Sequence, residues 1–251
     1  MVLPEYRRQD APVNAYVFVD ELARRLVEDD VVVCANGSAC VVTFQAFAVK
    51  RGQRLIANSG TAGMGYDLPA AIGAAFALRD RGSPAGGSPP SAGRIICLAG
   101  DGSIQMNIHE LQTIVHHELP IKIFVFENAG YLSIRQTQDN IFEGRRVGEG
   151  PQSGVSFPDL VRLAEAYGIP ATRVTRHKEL EEAIGAALVS AGPALVDVVM
   201  DPDQAFVPKV IAERLADGRI VSKPLEDMYP FLPRAEFADN MIVPPYDPGE
   251  R

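Results

Sequence analysis

Short apolar runs rich in β-branched residues alternate along this sequence with segments of helical periodicity. That alternation predicts a parallel β-sheet whose strands are joined by crossover helices. The candidate strands are residues 31–34, 94–98, 121–126, 171–175 and 194–200. Most of these runs are almost wholly apolar, as expected for strands that are covered on both faces. The predicted fold class is therefore α/β, a parallel sheet with helices on both faces.

Polar residues mark where some of the intervening helices should begin. Asp67 is placed to cap a helix that follows it. Asn107, with Glu110 three residues later, matches a capping box and predicts a helix start there. Another helix is predicted over residues 178–190.

Two stretches fall outside the alternating pattern. Residues 81–93 are rich in glycine, serine and proline, which predicts a surface insertion loop. Residues 209–251 are proline-rich and are predicted to form an irregular C-terminal extension that wraps a partner, covers the site or lacks order. The domain itself is predicted to span residues 12–208.

The composition narrows the classes of partner. A net charge of −8 and an isoelectric point near 5.1 argue against a nucleic-acid surface. The longest apolar run, residues 68–78, is too short to span a membrane, and the first residues lack the apolar region of a secretory signal. Cys34, Cys40 and Cys97 lie in apolar sequence without CxxC spacing, which predicts buried, reduced thiols and a cytoplasmic protein.

Asp101 and Asn128 each follow one of two consecutive predicted strands. Asp101 belongs to the Gly-Asp-Gly-Ser motif at 100–103, and Asn128 to the Glu-Asn-Ala-Gly motif at 127–130. Because the carboxyl ends of neighbouring parallel strands meet at one edge of a sheet, we expect the two side chains to lie together. Their oxygen atoms, with a backbone carbonyl near Gly130, are donors that Mg²⁺ prefers. Taken alone, however, Gly-Asp-Gly also fits a tight turn after a strand.

The spacing between these motifs resembles that of thiamine diphosphate enzymes. In this sequence 25 residues separate Gly-Asp-Gly from the asparagine. Residues 94–138 resemble the C-terminal cofactor domain of acetolactate synthase and related 2-oxo acid decarboxylases. The similarity continues upstream in Gly-Met-Gly-Tyr-Asp-Leu-Pro-Ala-Ala at 63–71 and in Gly37-Ser38, and it covers residues 12–210 in total.

The resemblance implies a role for each matching position. It makes Asp101, Asn128 and the carbonyl of Gly130 ligands of Mg²⁺. It makes Met64 the bulky residue that props the cofactor into a bent shape. The cofactor-binding residues that it implies are Gly37, Ser38, Ala62, Met64, Gly100, Gly102, Ser103, Asn128 and Gly130.

The resemblance also implies that this chain needs a second domain. In such enzymes a glutamate on a separate pyrimidine-binding domain, usually of a neighbouring subunit, activates the cofactor. We therefore expect no catalytic residue on this chain, a pyrimidine-binding partner domain or subunit, and a homo- or hetero-oligomer. FAD, which acetolactate synthases hold on a middle domain, is expected only on a partner or on a missing domain. The chain is then either one subunit of a split enzyme or a piece of a longer one.

Three positions depart from the family pattern. Glu127 stands where an asparagine is usual, Thr137 where many acetolactate synthases have tryptophan, and Ala39 where histidine is frequent.

Three hypotheses about function remain open. They are an acetolactate synthase-like carboligase or decarboxylase of 2-oxo acids such as pyruvate, a subunit of a thiamine-dependent oxoacid oxidoreductase, and a non-catalytic cofactor-binding or regulatory subunit.

Overall fold

The computed structural model describes residues 2–81, 93–215 and 217–244. Its main sheet has six strands in the order β2-β1-β3-β4-β6-β5, and every pair is parallel. The strands are β1 Val31–Cys34, β2 Arg54–Ala57, β3 Ile95–Gly100, β4 Lys122–Glu127, β5 Ala171–Val174 and β6 Ala194–Val199. The predicted α/β class is confirmed. The predicted insertion loop at 81–93 lies almost entirely outside the described residues.

Helices connect these strands and cover the sheet. They are α1 Pro4–Arg8, α2 Ala15–Arg25, α3 Gly37–Ala46, α4 Asp67–Arg81, α5 Asp101–Gln105, α6 Glu110–His116, α7 Leu132–Ile141, α8 Leu160–Ala166, α9 Leu180–Val189 and α10 Arg234–Asn240. In the described part of the chain, none of the helices is both long and apolar enough to cross a bilayer.

Side chains alternate between the two faces of the sheet, as strand geometry requires. In β1, Val32 and Cys34 belong to the core on one face, which α2, α3 and α9 cover. Val31 and Val33 belong to the core on the other face, which α4, α6 and α8 cover. The prediction of helices on both faces is therefore confirmed.

The strand order reverses at β1. From β1 the chain passes through α3 to β2 on one side, and from β2 it passes through α4 to β3 on the other side. The segments that follow β1 and β3 therefore leave the sheet in opposite directions and open a crevice between them. Gly37 and Ser38 follow β1, and the Gly-Asp-Gly-Ser motif ends β3 and begins α5.

The segment after β6 is more regular than predicted. Strands β7 (Ala212–Arg214) and β8 (Ile220–Ser222) form an antiparallel hairpin, and α10 follows. The amide of Gln45, on α3, donates to the carbonyl of Pro208 at 2.5 Å, and the Tyr16 hydroxyl accepts from Val207 N–H at 3.0 Å. These bonds hold the beginning of the C-terminal segment against α2 and α3.

Candidate functional site

A cleft of about 340 Å³ lies at the carboxyl edge of the sheet, in the crevice between the segments that follow β1, β3 and β4. All the cofactor and metal residues predicted from the sequence line this cleft: Gly37, Ser38, Ala62, Met64, Gly100, Asp101, Gly102, Ser103, Asn128 and Gly130. The structure thus brings the predicted site residues together, while their roles stay predictions. The cleft also contains Tyr131, Ser133 and Ile134, which the sequence did not single out.

The carboxylate of Asp101 is buried and held by backbone N–H groups. Its Oδ1 accepts from Gly102 N–H at 2.7 Å, and its Oδ2 accepts from Asn128 N–H at 3.1 Å and Gly130 N–H at 3.0 Å. Burial raises the pKa of Asp101 to about 6, against the opposing effect of these three bonds. Within the described residues, no Lys, Arg or His nitrogen lies within 4.0 Å of this carboxylate. A cation in the cleft would stabilise its charged form.

Asn128 is oriented by Ser38 from the other side of the crevice. The side-chain nitrogen Nδ2 of Asn128 donates to Ser38 Oγ at 2.7 Å, and both residues are buried. An amide that donates through its nitrogen presents its oxygen elsewhere, and in this assignment Oδ1 is the atom available to a cation. Ser38 therefore contributes to the site by setting the orientation of a candidate metal ligand.

The turn that carries Gly130 rests on a buried ion pair that sequence reasoning missed. Arg135 Nε donates to Glu149 Oε2 at 2.5 Å, and the two side chains are 6% and 3% exposed. The guanidinium also donates to the carbonyls of Ala129 at 3.0 Å and Asn128 at 3.4 Å. Arg135 and Glu149 are 14 residues apart and no spacing rule pairs them, so the sequence carried no signal for the pair.

Gly130 lies against the carbonyl of Glu149. Its φ of +134° is a backbone angle that residues other than glycine rarely adopt. A Cβ added at this position would lie 2.0 Å from the carbonyl oxygen of Glu149. We expect Gly130→Ala to lower the free energy of unfolding by about 2–4 kcal/mol, through backbone strain and this clash. Urea denaturation would measure the loss.

The matched control for that substitution is Gly148→Ala. Gly148 has a φ of +62° but no atom within 4 Å of an added Cβ, so only the cost of the left-handed conformation, about 1 kcal/mol, is expected. Equal losses in the two variants would contradict a role for the contact with Glu149.

The loop that carries Met64 is tied to the Gly-Asp-Gly-Ser turn. Gly65 N–H donates to Ser103 Oγ at 2.9 Å, and Ser103 Oγ donates to the buried Asp67 at 2.5 Å. Asn107 Nδ2 donates to the carbonyl of Gly65 at 2.6 Å. The predicted capping box is therefore wrong, because the Asn107 side chain holds this loop and α6 begins only at Glu110. The hydroxyl of Ser103 likewise binds the loop, and the N–H of Gly102 donates to Asp101.

Glu127 is absent from the lining of the cleft that holds Asn128, although it lines a smaller cavity with Asp101 and its charge contributes to the raised pKa of that carboxyl. It is the last residue of β4, and its carboxylate lies 3.8 Å from Arg173. Arg173 also contacts the buried Asp197 at 2.9 Å and Asp159 at 3.1 Å. Burial, and secondarily the charge of Glu127, raises the pKa of Asp197 to about 7. The additional acid of this sequence is thus accommodated by an arginine on the edge strand β5.

The other singled-out side chains lie outside the cleft. Ala39 is buried against the core, and the Thr137 hydroxyl donates to the Ser133 carbonyl within α7 at 2.9 Å. The described ranges contain no group of three or more His, Cys, Asp or Glu side chains placed to hold a metal ion. A cation in the cleft would therefore depend on mixed oxygen donors, with Asp101 as the acidic one. Cys34, Cys40 and Cys97 are buried and free, as predicted.

The fold and the cleft together define an α/β domain built to hold a ligand at the carboxyl edge of a parallel sheet. The family model described as thiamine pyrophosphate enzyme, C-terminal TPP binding domain, matches residues 35–198. The chain belongs to this family, and TPP is the cofactor called thiamine diphosphate above.

Curated proteins similar to this chain include acetolactate synthases. The chain is 37% identical over 166 residues to an acetolactate synthase large subunit of Cyanidium caldarium, covering 66% of this chain and 26% of the relative. It is 32% identical over 210 residues to a probable acetolactate synthase large subunit of Methanocaldococcus jannaschii, covering 81% and 33%. It is 30% identical over 212 residues to acetolactate synthase 2, chloroplastic, of Nicotiana tabacum, covering 79% and 30%. The chain thus spans about a quarter to a third of the length of these relatives, as a TPP-binding domain of the acetolactate synthase-like kind.

Proposed function

We propose that this chain binds the diphosphate of thiamine diphosphate through a Mg²⁺ ion held by Asp101, Asn128 Oδ1 and the carbonyl of Gly130. The observation that carries the proposal is the buried Asp101 carboxylate, which lies beside Asn128 at the point where the strand order reverses and has no cationic neighbour among the described side chains. Two diphosphate oxygens and a water would complete about six ligands around Mg²⁺.

The residues at the mouth of the cleft fit the other end of the cofactor. Met64 is 36% exposed and lines the cleft together with Ala62, whose φ is +51°. The hydrogen bond from Gly65 N–H to Ser103 Oγ fixes the loop that carries Met64 to the Gly-Asp-Gly-Ser turn, which would bind the diphosphate. Met64 would therefore support the cofactor from a defined position, and the backbone of Ala62 and Met64 would face the pyrimidine.

We further propose that the chain is the cofactor-binding part of an acetolactate synthase-like carboligase or decarboxylase that acts on 2-oxo acids such as pyruvate. The bound cofactor supplies the carbanion chemistry, and this chain binds and orients it. A pyrimidine-binding domain or subunit with an activating glutamate would complete the site within a homo- or hetero-oligomer, and FAD would belong to such a partner or to a further domain. The three buried free cysteines support a cytoplasmic location.

Apolar side chains around the mouth of the cleft support the need for a partner. Ile134 is 44% exposed beside the cleft, and Met106, which packs near Gly65, is 51% exposed. Exposed apolar groups around a binding groove are typical of surfaces that another domain covers.

Calorimetric titration with thiamine diphosphate tests the binding proposal. We expect saturable binding in the presence of Mg²⁺, and its loss when EDTA replaces Mg²⁺. Thiamine, which lacks the diphosphate, is the matched control ligand and should bind far more weakly. Binding that is equally tight with EDTA, or equally tight for thiamine, would contradict the proposed site.

Turnover tests the proposal of a divided active site. Loaded with thiamine diphosphate and Mg²⁺, the chain alone should decarboxylate pyruvate at a negligible rate, because in this proposal the activating glutamate belongs to the partner. Co-purification from the native cell should recover a protein with a pyrimidine-binding domain, and its addition should restore turnover. If turnover stays absent although that complex forms and binds the cofactor, the non-catalytic or regulatory alternative is favoured.

A further inference from the structure

A second cleft, of about 660 Å³, adjoins the cofactor cleft along helix α7. Ser133 lines both clefts, and Gln136, Thr137 and Asn140 line the second at the spacing of one helix face. The opposite wall belongs to the C-terminal segment, which contributes Phe206, Lys209, Ile211 and Tyr229. The two clefts are therefore neighbours that share one helix.

Among the described residues that line the second cleft, Lys209 is the one with a charged side chain. Its Nζ donates to Gln136 Oε1 at 3.3 Å, and Gln136 Nε2 in turn donates to the carbonyl of Gln204 at 2.8 Å. Two backbone hydrogen bonds with Tyr229, at 2.9 and 2.8 Å, fix the main chain of Lys209. Hydrogen bonds thus hold Lys209 at both its main chain and its ammonium group.

No counter-ion for Lys209 is found in the part of the chain that the structure describes. None of the carboxylates there lies within 4.0 Å of Nζ. The Lys209 side chain is partly removed from water, and this burial lowers its pKa. A cation that has lost part of its hydration and lacks an acidic partner favours an anionic ligand.

We propose that Lys209 binds the carboxylate of a small 2-oxo acid in this second cleft, beside the cofactor cleft. The inference rests on the proposed function, because a cofactor in the neighbouring cleft is what makes a 2-oxo acid the relevant anion. Gln136, the partner of Lys209, is three residues from Ser133, which corresponds to a rise of about 4.5 Å along α7. A carboxylate at Lys209 would therefore leave the rest of a three- or four-carbon acid within reach of the cofactor cleft.

The remaining lining suits the uncharged part of such an acid. Phe206 and Ile211 provide apolar surface, while Gln136 and Asn140 offer side-chain amides. Thr137, which stands where many acetolactate synthases have tryptophan, is small and leaves space along α7. Charge complementarity at one end and an apolar wall at the other match a short 2-oxo acid better than an inorganic anion.

Ligand-observed NMR on the methyl signal of pyruvate tests the inference without cofactor, so that no reaction occurs. We expect saturable binding of pyruvate to the wild-type chain. Lys209→Met, which keeps the length of the side chain but removes its charge, should weaken binding by about tenfold or more, the loss of one charge-assisted hydrogen bond. Lys209→Arg should retain most of the affinity, and methyl pyruvate, which has no negative charge, should not distinguish wild type from Lys209→Met.

Lys178→Met is the matched control, because Lys178 is exposed on the surface and does not line the second cleft. It removes one positive charge, as Lys209→Met does, and should leave pyruvate binding unchanged. An absence of saturable pyruvate binding to the wild type would overturn the inference. So would equal weakening by Lys209→Met and Lys178→Met, or unchanged binding to Lys209→Met.

Titration with thiamine diphosphate and Mg²⁺ on the same variants separates this inference from the proposed function. Lys209→Met should bind the cofactor as the wild type does, because Lys209 does not line the cofactor cleft. If all variants bind the cofactor but Lys209→Met binds pyruvate as tightly as the wild type does, the inference about Lys209 fails and the proposed function stands. If the wild type does not bind the cofactor, the proposed function fails whatever pyruvate does.

Discussion

Asp101→Asn is expected to weaken Mg²⁺-dependent binding of thiamine diphosphate by about 100-fold or more. Loss of a residue that only hydrogen-bonds to a metal ligand typically weakens metal binding by about 10- to 100-fold, and loss of a ligand should weaken it at least as much. The substitution keeps the size of the side chain but removes the acidic donor of the proposed metal site. Calorimetric titration with thiamine diphosphate in Mg²⁺, for the wild type and the variant, would measure the change.

The Asp101→Asn variant is expected to fold. Because burial raises the pKa of Asp101 from 3.8 to about 6, its ionised form costs stability. That cost is absent below the ordinary pKa and fully present above about pH 6. Asparagine removes the cost but leaves one of three backbone N–H groups without an acceptor. We therefore expect the free energy of unfolding at neutral pH to change by less than about 2 kcal/mol.

Glu127→Gln is the control for charge near the site. Glu127 is an acid in the same motif as Asn128, yet it does not line the cofactor cleft. Its neutralisation should leave cofactor affinity nearly unchanged. If Glu127→Gln and Asp101→Asn weakened binding equally, Asp101 would act only through the overall negative potential and would not be a ligand.

Arg135→Met should lower the free energy of unfolding by about 3–5 kcal/mol, because it leaves Glu149 charged and buried without its partner. It also removes donors from the carbonyls of Ala129, at 3.0 Å, and Pro202, at 2.7 Å. Since the Ala129 carbonyl belongs to the turn that carries Gly130, cofactor affinity should fall as well. Urea denaturation and calorimetric titration would measure the two effects.

An exposed ion pair supplies the matched control. Arg146 contacts Asp139 at 2.8 Å, but the two side chains are 41% and 37% exposed. Arg146→Met should therefore change the free energy of unfolding far less than Arg135→Met does, because water and salt screen an exposed ion pair. Glu149→Gln added to Arg135→Met should recover part of the lost stability, because no buried charge then remains. Similar losses for Arg135→Met and Arg146→Met would contradict the importance of burial.

Much of the fold could be predicted because the central strands are buried on both faces. Strand β1 was predicted at its observed bounds, and β3 was found but extends two residues further, to Gly100, because it stays paired with β4 there. Strand β2 was missed. It spans only four residues, begins with an exposed Arg54 and lies at the edge of the sheet, so it lacks the continuous apolar run of the others.

The residues of the candidate site could be gathered from short motifs, but the network behind them could not. Gly-Asp-Gly-Ser and Asn128 follow strand ends, and strand order alone places them together. The pairing of Arg135 with Glu149 and of Asp67 with Ser103 depends on loop geometry. Such pairs leave no periodic pattern in a sequence. Asn107 shows the same limit, because a capping motif gives way to a hydrogen bond with a distant loop.

The partly open mouth of the cofactor cleft, with Met64 and Ile134 exposed, has a thermodynamic consequence for assembly. If one molecule of cofactor contacts both this chain and a pyrimidine-binding partner, then cofactor binding and partner binding are reciprocal. Whatever factor the partner adds to cofactor affinity, the cofactor adds to partner affinity. The fraction of chain bound to its partner would then rise and fall with the concentration of free thiamine diphosphate. When the cofactor becomes scarce, this chain and its partner would dissociate.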